Sequence, residues 1–275
     1  MAAINPPERK LANCTSVHCI SDYCTLLFFY SKKYSDLFNE VIDFHNHILP
    51  EIDDGSQSLE ESLKMLEAYQ GLGIKEILAS PHIYKDLYPN TAESIHNSFT
   101  SLSEASKSLH VNISGYLAEY MIDEYFLKDI NNKKKFLTCF GNHILIEMPF
   151  FGAIEMLSKA LFALQTEGYS PIIAHPERYN NIKTVEEIKK IKHKGAMLQL
   201  NALSVVGFYG PEVEKKARLW LKNGLYDFIC TDAHNVNQLK KLEDIRLSNK
   251  ELKAWRLICE NQQHVISAYD DLSAP

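Results

Sequence analysis

The sequence predicts an α/β protein whose parallel strands close into a barrel, and three observations carry that prediction. From Val41 onward, short apolar runs alternate with segments of helical periodicity, as βα units do. Seven of these runs deliver a polar, amide or metal-capable residue at their carboxyl end, and a parallel barrel gathers such ends on one rim. At 275 residues with 45% hydrophobic content, the chain has the size and core of a single α/β barrel.

In chain order, the first strand is read at Val41 to Phe44. Its helix opens at Ser58, where Ser58 and Glu61 match a capping box, and Leu59, Leu63 and Leu66 mark a buried face up to Gly71 or Gly73. Strand two, Ile74 to Ser80, runs into Pro81-His82, and a helix from Thr91 carries Ile95, Phe99 and Leu102. Strand three spans Ile113 to Ala118 and ends in Glu119; strand four, Ile144 to Ile146, ends in Glu147. After a helix from Ala153 to Glu167, strand five covers Pro171 to Ala174 and ends in His175. The helix Val185 to His193 leads to strand six, Ala196 to Leu200, ending in Asn201. The helix Glu212 to Asn223 leads to strand seven, Tyr226 to Cys230, ending in Thr231-Asp232-Ala233-His234. Residues 1–40 read as an amino-terminal arm, 41–265 as the barrel domain with closing helices, and 266–275 as a polar tail.

Composition excludes several classes. A formal charge of -6 argues against a broad basic face for nucleic acid. No apolar run reaches the ~20 residues that span a bilayer, so a membrane-spanning protein is not expected. Six scattered cysteines form no CxxC pair, which points away from a zinc knuckle or disulfide framework and toward the cytoplasm.

The stretch Asp43-Phe44-His45-Asn46-His47 places two imidazoles on one side of an extended backbone, a pincer for a divalent cation. Asp53-Asp54 just downstream adds oxygen donors. On a common rim, His45, His47, Asp54, His82, Glu119, Glu147, His175, Asp232 and His234 converge, and so many titratable groups repel one another unless cations lie between them. A polynuclear metal site follows. Carboxylates mixed with imidazoles suit Mn, Fe or Zn rather than Ca.

These residues carry a resemblance. Asp-x-His-x-His, Pro81-His82, the strand-end glutamates, His175-Pro176-Glu177-Arg178-Tyr179 and Thr231-Asp232-Ala233-His234 together resemble the polymerase and histidinol phosphatase (PHP) superfamily. His47-Ile48-Leu49-Pro50 with Ile52-Asp53-Asp54-Gly55, the helix start Ser58-Leu59-Glu60-Glu61-Ser62, and Asn201-Ala202-Leu203-Ser204 resemble its branch of bacterial manganese-dependent protein tyrosine phosphatases, of the CpsB/YwqE type, associated with capsule and exopolysaccharide synthesis. The resemblance covers residues 41–247. It implies a distorted seven-stranded (β/α)7 TIM-like barrel holding three divalent metal ions, manganese by family habit. One ion would sit on His45, His47, Glu119 and Asp232, with Glu119 bridging to a second on Glu147 and His175, and the third on Asp54, His82 and His234.

The chemistry such a cluster supplies is a metal-bound water of lowered pKa as nucleophile on phosphorus, and Arg178 would clamp phosphoryl oxygens. A salt bridge from Arg178 to Glu177 or Glu147 is the structural alternative. No cysteine begins a Cys-x5-Arg loop, so a thiol nucleophile is not expected. Tyr84, Tyr88, Phe151, Tyr179, Phe208 and Tyr209 lie on loops after strand ends and could sandwich a phenol ring. The resemblance implies a phosphotyrosine protein as partner, the tail of a bacterial tyrosine kinase. A histidinol-phosphatase-like small-molecule phosphoesterase and a nuclease or noncatalytic PHP domain stay open as alternatives.

Overall fold

A computed structural model describes residues 35–149 and 152–273. A short helix α1 (Ser35–Phe38) leads into strand β1 (Ile42–Asp43), helix α2 (Leu59–Leu72), strands β2 (Glu76–Ala79) and β3 (His82–Ile83), and helix α3 (Ala92–Ala105). Strands β4 (Asn112–Tyr116) and β5 (Glu119–Met121), helix α4 (Glu124–Asn131), strand β6 (His143–Glu147), helix α5 (Ile154–Thr166) and strand β7 (Ser170–Ile173) follow. After α6 (Val185–His193) come β8 (Met197–Asn201), the single turn α7 (Ala202–Val205), α8 (Pro211–Lys222), β9 (Phe228–Cys230), α9 (Val236–Lys241) and the long α10 (Asn249–Ser273).

All strand pairs are parallel, in a three-stranded sheet ordered β1-β2-β4 and a six-stranded sheet ordered β3-β5-β6-β7-β8-β9. The seven expected strands thus resolve into nine segments, because strands two and three each break and change sheet. The first break falls at Ser80-Pro81, where proline has no N–H for the ladder. The second falls at Leu117-Ala118. Backbone hydrogen bonds also join the far edges of the two sheets: Asp232 N donates to His45 O at 2.7 Å and His47 N to Ala233 O at 3.0 Å. The architecture is therefore a curled parallel sheet with helices outside it.

Period-two alternation sorts the side chains. Phe44, Leu145, Ile172, Phe228 and Cys230 form a cluster on the inner face, with Phe44 edge-on to Phe228 at 5.2 Å. Their neighbours Ile144, Ile146, Ile173 and Ile229 join the larger core beneath the helices. Most helices start where a side chain can cap them. Thr91 forms a full capping box with Ser94, and Thr184 forms one with Glu187. At Ser58 only half of the expected box exists: Ser58 accepts from Glu61 N, while the Glu61 carboxylate takes Gln57 N instead.

Three features were not read from the sequence. The domain starts before Val41, since Phe38 is fully buried and packs edge-on to Trp255 at 5.6 Å, and Trp255 Nε1 donates to Leu37 O. Helix α4, capped by Asp123, stands where no helix was expected. The first residues of the expected polar tail continue α10, which runs to Ser273, and Ile266 is buried in the inner cluster. Residues 1–34 of the expected arm lie outside the described residues. Among the described residues, no helix is long and apolar enough to cross a membrane.

Candidate metal centre

The strand ends assemble the centre. His45 and His47 follow β1, His82 opens β3, Glu119 opens β5, Glu147 closes β6, His175 follows β7, and Asp232 and His234 follow β9. All but His234 are buried, and Asp54, itself exposed, reaches the group from the loop before α2. His45 Nε2 lies 3.1 Å from Glu119 Oε1 and 3.2 Å from Asp232 Oδ1. His47 Nε2 lies 3.2 Å from the same Asp232 oxygen. His82 Nδ1 is 3.2 Å from Glu119 Oε2, and His175 Nε2 is 3.4 Å from Glu147 Oε1. Asp54 Oδ1 stands 3.5 Å from His82 Nε2 and 3.6 Å from His234 Nε2. All nine residues expected as ligands therefore come together. Their donor atoms form four overlapping groups: His47, Asp54, His82 and His234; His45, His47 and Asp232; His45, Glu119 and His175; His82, Glu119 and Glu147.

Neighbouring acceptors fix how three imidazoles present themselves. His45 Nδ1 meets Gln199 Oε1 at 2.9 Å; that oxygen also accepts His175 N at 3.1 Å, so it is the amide's acceptor and His45 Nδ1 carries the proton. His47 Nδ1 donates to Asp53 Oδ2 at 2.9 Å, and His234 Nδ1 to Asp232 O at 2.9 Å. Each Nε2 lone pair is left facing the cage, the arrangement in which an outer partner orients a metal-ligating histidine. Asp53 also receives Gly55 N and His82 N. Against the cost of burial, the His47 imidazole leads the contacts that bring the Asp53 carboxyl down to about 2.

Whether cations fit is answered by buried donor atoms that have no hydrogen bond. His45 Nε2, His82 Nδ1 and both oxygens of Glu119 are buried without a hydrogen bond, although leaving such atoms unpaired costs about 1–3 kcal/mol each. Burial, reinforced by the charges of Glu119 and Asp232, pushes the Glu147 carboxyl well above its usual range. Burial opposes an imidazolium at His45, yet Glu119 and Asp232 outweigh it and raise that pKa well above normal. Protons are thus shared among groups that divalent cations would satisfy better, and the mixed nitrogen and oxygen donors suit a transition metal.

Two of these residues, His175 with φ 29° and Asp232 with φ 51°, sit in left-handed backbone, a conformation that persists where the surrounding structure imposes it. Arg178 stands at the edge, its Nη1 2.6 Å from Asp232 Oδ2 and its guanidinium 4.2 Å over the Tyr209 ring. This ion pair joins the arginine to the aspartate after β9, an acceptor the sequence did not single out for it. Glu177 instead anchors the turn from below, buried and accepting Asn201 N, Ser204 Oγ and Tyr226 OH.

Of the aromatics expected near substrate, Tyr88 stacks on His82 with centroids 5.5 Å apart and 12° between planes, and a backbone bridge ties Tyr84 to it. Phe208 is exposed and edge-on to Tyr209. Tyr179 is corrected: its ring is fully buried, and its hydroxyl donates to Ala174 O and accepts Met148 N, so it bolts strands together rather than facing a ligand. Phe151 lies outside the described residues.

Asp53, read from the sequence as an oxygen donor beside Asp54, orients His47 instead, and the orienting residues Gln199 and Asn201, the latter donating Nδ2 to Asp232 Oδ2 at 2.8 Å, were not among the expected site residues. One signal pointed to Gln199: it lies two residues before the strand-end Asn201 and so on the same strand face. Gln199→Leu is expected to raise the metal concentration needed for half-maximal loading about 10- to 100-fold. Gln199→Glu, which keeps an acceptor for His45 Nδ1, is expected to lose less. Metal titration of the stripped protein measures both, and equal loading by the two variants would refute the orienting role.

Comparison with known proteins places this geometry. A model of the capsular polysaccharide synthesis CpsB/CapC family matches residues 41–267. The CapC protein of Staphylococcus aureus is 29% identical over 217 residues, 78% of this chain and 85% of its own. The tyrosine-protein phosphatase YwqE of Bacillus subtilis is 30% identical over 207 residues, 71% of this chain and 78% of its own. A chain from the crystal structures of YwqE and of CpsB from Streptococcus pneumoniae, described as metal-dependent tyrosine phosphatases, matches with a TM-score of 0.67 at 27% identity. That match covers 80% of this chain and 95% of the other. Sequence and fold agree that the chain belongs to the CpsB/CapC family of capsular polysaccharide synthesis proteins.

Proposed function

We propose that this chain is a metal-dependent protein tyrosine phosphatase of capsule or exopolysaccharide synthesis, acting in the cytoplasm on the tail of a bacterial tyrosine kinase. The carrying observation is that the oxygens of Glu119 and the ring nitrogens of His45 and His82 are buried without a hydrogen bond and meet only across the one space they share with their charged neighbours. His45, His47, Asp54, His82, Glu119, Glu147, His175, Asp232 and His234 would hold three divalent cations, manganese first, with iron or zinc able to use the same donors. When bound, such ions activate water and neutralise phosphoryl charge.

The chain's own residues do the rest. Gln199, Asp53 and the Asp232 carbonyl keep three imidazoles aimed inward. Arg178, held by the Tyr209 face and Asp232, stands where its guanidinium can meet a phosphoryl oxygen. Tyr88, flat against His82, offers a ring edge to a phenol. Hydrolysis forms a bond from water oxygen to phosphorus and breaks the bond to the tyrosine oxygen, which leaves to take up a proton.

The test is steady-state kinetics on a phosphotyrosine peptide, a phosphoserine peptide and histidinol phosphate, with metal content measured in the same sample. Phosphotyrosine is expected to give the highest kcat/KM. Faster turnover of histidinol phosphate would replace this reading with a small-molecule phosphatase.

A further inference from the structure

Beside the metal centre lies a groove of about 370 Å3, lined by Ile83, Lys85 and Asn90 on one side and by Tyr120, Tyr125 and Lys128 of β5 and α4 on the other. The Tyr84–Tyr88 loop stands between the two. Tyr88 faces His82 on one side of that loop, while Lys85 faces the groove. Asn90 pins the loop by donating to His82 O at 2.9 Å and Ile52 O at 2.7 Å. Ile83 and Tyr120, which follow His82 and Glu119 on their strands and point to the opposite face, line the groove, so the two strands and the Tyr84–Tyr88 loop separate it from the metal centre.

Its charge is opposite to that of the chain. The sequence carries 35 acidic against 29 basic residues, yet Lys85, Lys128 and Lys134 line the groove against Asp123 and Asp129. Both acids are already engaged: Asp123 caps α4 through Phe126 N at 2.6 Å, and Asp129 pairs with Lys134 at 2.7 Å. Lys85 lies 4.1 Å over the ring of Tyr125, which is 43% exposed. Neither Lys85 nor Lys128 has an ion-pair partner among the described residues.

We propose that this groove is a specificity subsite that binds acidic residues flanking the phosphotyrosine of the substrate. Lys85 and Lys128 are the cations that receive them, and Tyr125 is the shelf over which the peptide lies. The inference rests on the phosphotyrosine reading above.

The experiment uses the metal-loaded full chain with phosphotyrosine peptides that carry aspartate or alanine at the three positions on either side, and free phosphotyrosine as the reference substrate. The aspartate-flanked peptide is expected to show a KM about tenfold below the alanine-flanked one, a gap that narrows as salt rises. In the double variant Lys85→Glu/Lys128→Glu the gap is expected to vanish or reverse, with the ratio of peptide to free-phosphotyrosine kcat/KM falling accordingly. If free phosphotyrosine turns over but acidic flanks bring no preference, or the preference survives the double reversal, the groove assignment is overturned alone. If free phosphotyrosine is not hydrolysed at all, the phosphatase reading falls and takes this one with it.

Discussion

Chelation of divalent cations is expected to abolish phosphotyrosine hydrolysis, and alkylation of the thiols is expected to leave it intact. Removing the ions leaves Glu119 with two buried oxygens that have no hydrogen bond and returns Glu147 to the field of Glu119 and Asp232. The activity loss should be accompanied by a fall in stability, because a ligand present at 100 times its Kd contributes about 2.7 kcal/mol. For a chain of this size that corresponds to roughly 5–10 °C in Tm. Readdition of manganese should restore both. Among the described residues the thiols have no part in this: Cys139, Cys230 and Cys259 are buried, and burial pushes the Cys259 thiol up to about 12 and those of Cys139 and Cys230 well above their usual range. Activity assays and calorimetry on chelated, reloaded and alkylated samples decide the matter. Activity that survives chelation to metal-free protein, or that alkylation destroys, would overturn the metal-centred chemistry.

Gly55→Ala is expected to damage fold and site together. The turn that returns the chain past the metal centre brings Ser56 N onto His47 O at 3.0 Å. A Cβ on residue 55 would lie 2.0 Å from that oxygen and 2.4 Å from His47 Cβ. Backbone has to move, at a cost of about 3 kcal/mol and roughly 6–12 °C in Tm. The displaced segment also carries Asp53, which Gly55 N holds at 2.9 Å and which orients His47, so metal loading should fall as well. Gly71→Ala is the control. It sits in α2, and nothing lies within 4 Å of the place its Cβ would occupy, so alanine there should add about 0.5–1 kcal/mol of stability. Thermal melts of the two variants, with metal content, test the contrast; an unshifted Tm for Gly55→Ala would refute the close approach.

What the sequence made legible follows from periodicity. Every strand predicted from an apolar run has a counterpart, and the residues at strand ends, His45 through His234, meet because parallel order brings those ends to one side. Less legible were features that depend on three-dimensional partners. Leu117-Ala118 carries no proline or charge to mark it, so the break between β4 and β5 was invisible, whereas Pro81 marked the other break. Helix α4 shows only Phe126 and Ile130 on its buried face, too few to establish a 3.6-residue period. Tyr179 looked like a loop aromatic because the 3-10 turn before it, Pro176–Arg178, hides the fact that its ring points back under the sheet. Gln199 was passed over because an amide announces no chemistry until the imidazole it orients is placed beside it.

The left-handed backbone at positions 175 and 232 limits how the cation preference of this enzyme could be redesigned. Histidine, aspartate, asparagine and glycine tolerate that conformation far better than branched or bulky side chains do. Exchanging donors to favour a softer or harder ion is therefore open at positions 45, 119 and 147, where the backbone imposes no such restriction. At 175 and 232 the usable alphabet shrinks to a few letters, and a thiolate or a glutamate there would carry a conformational penalty before it met any metal.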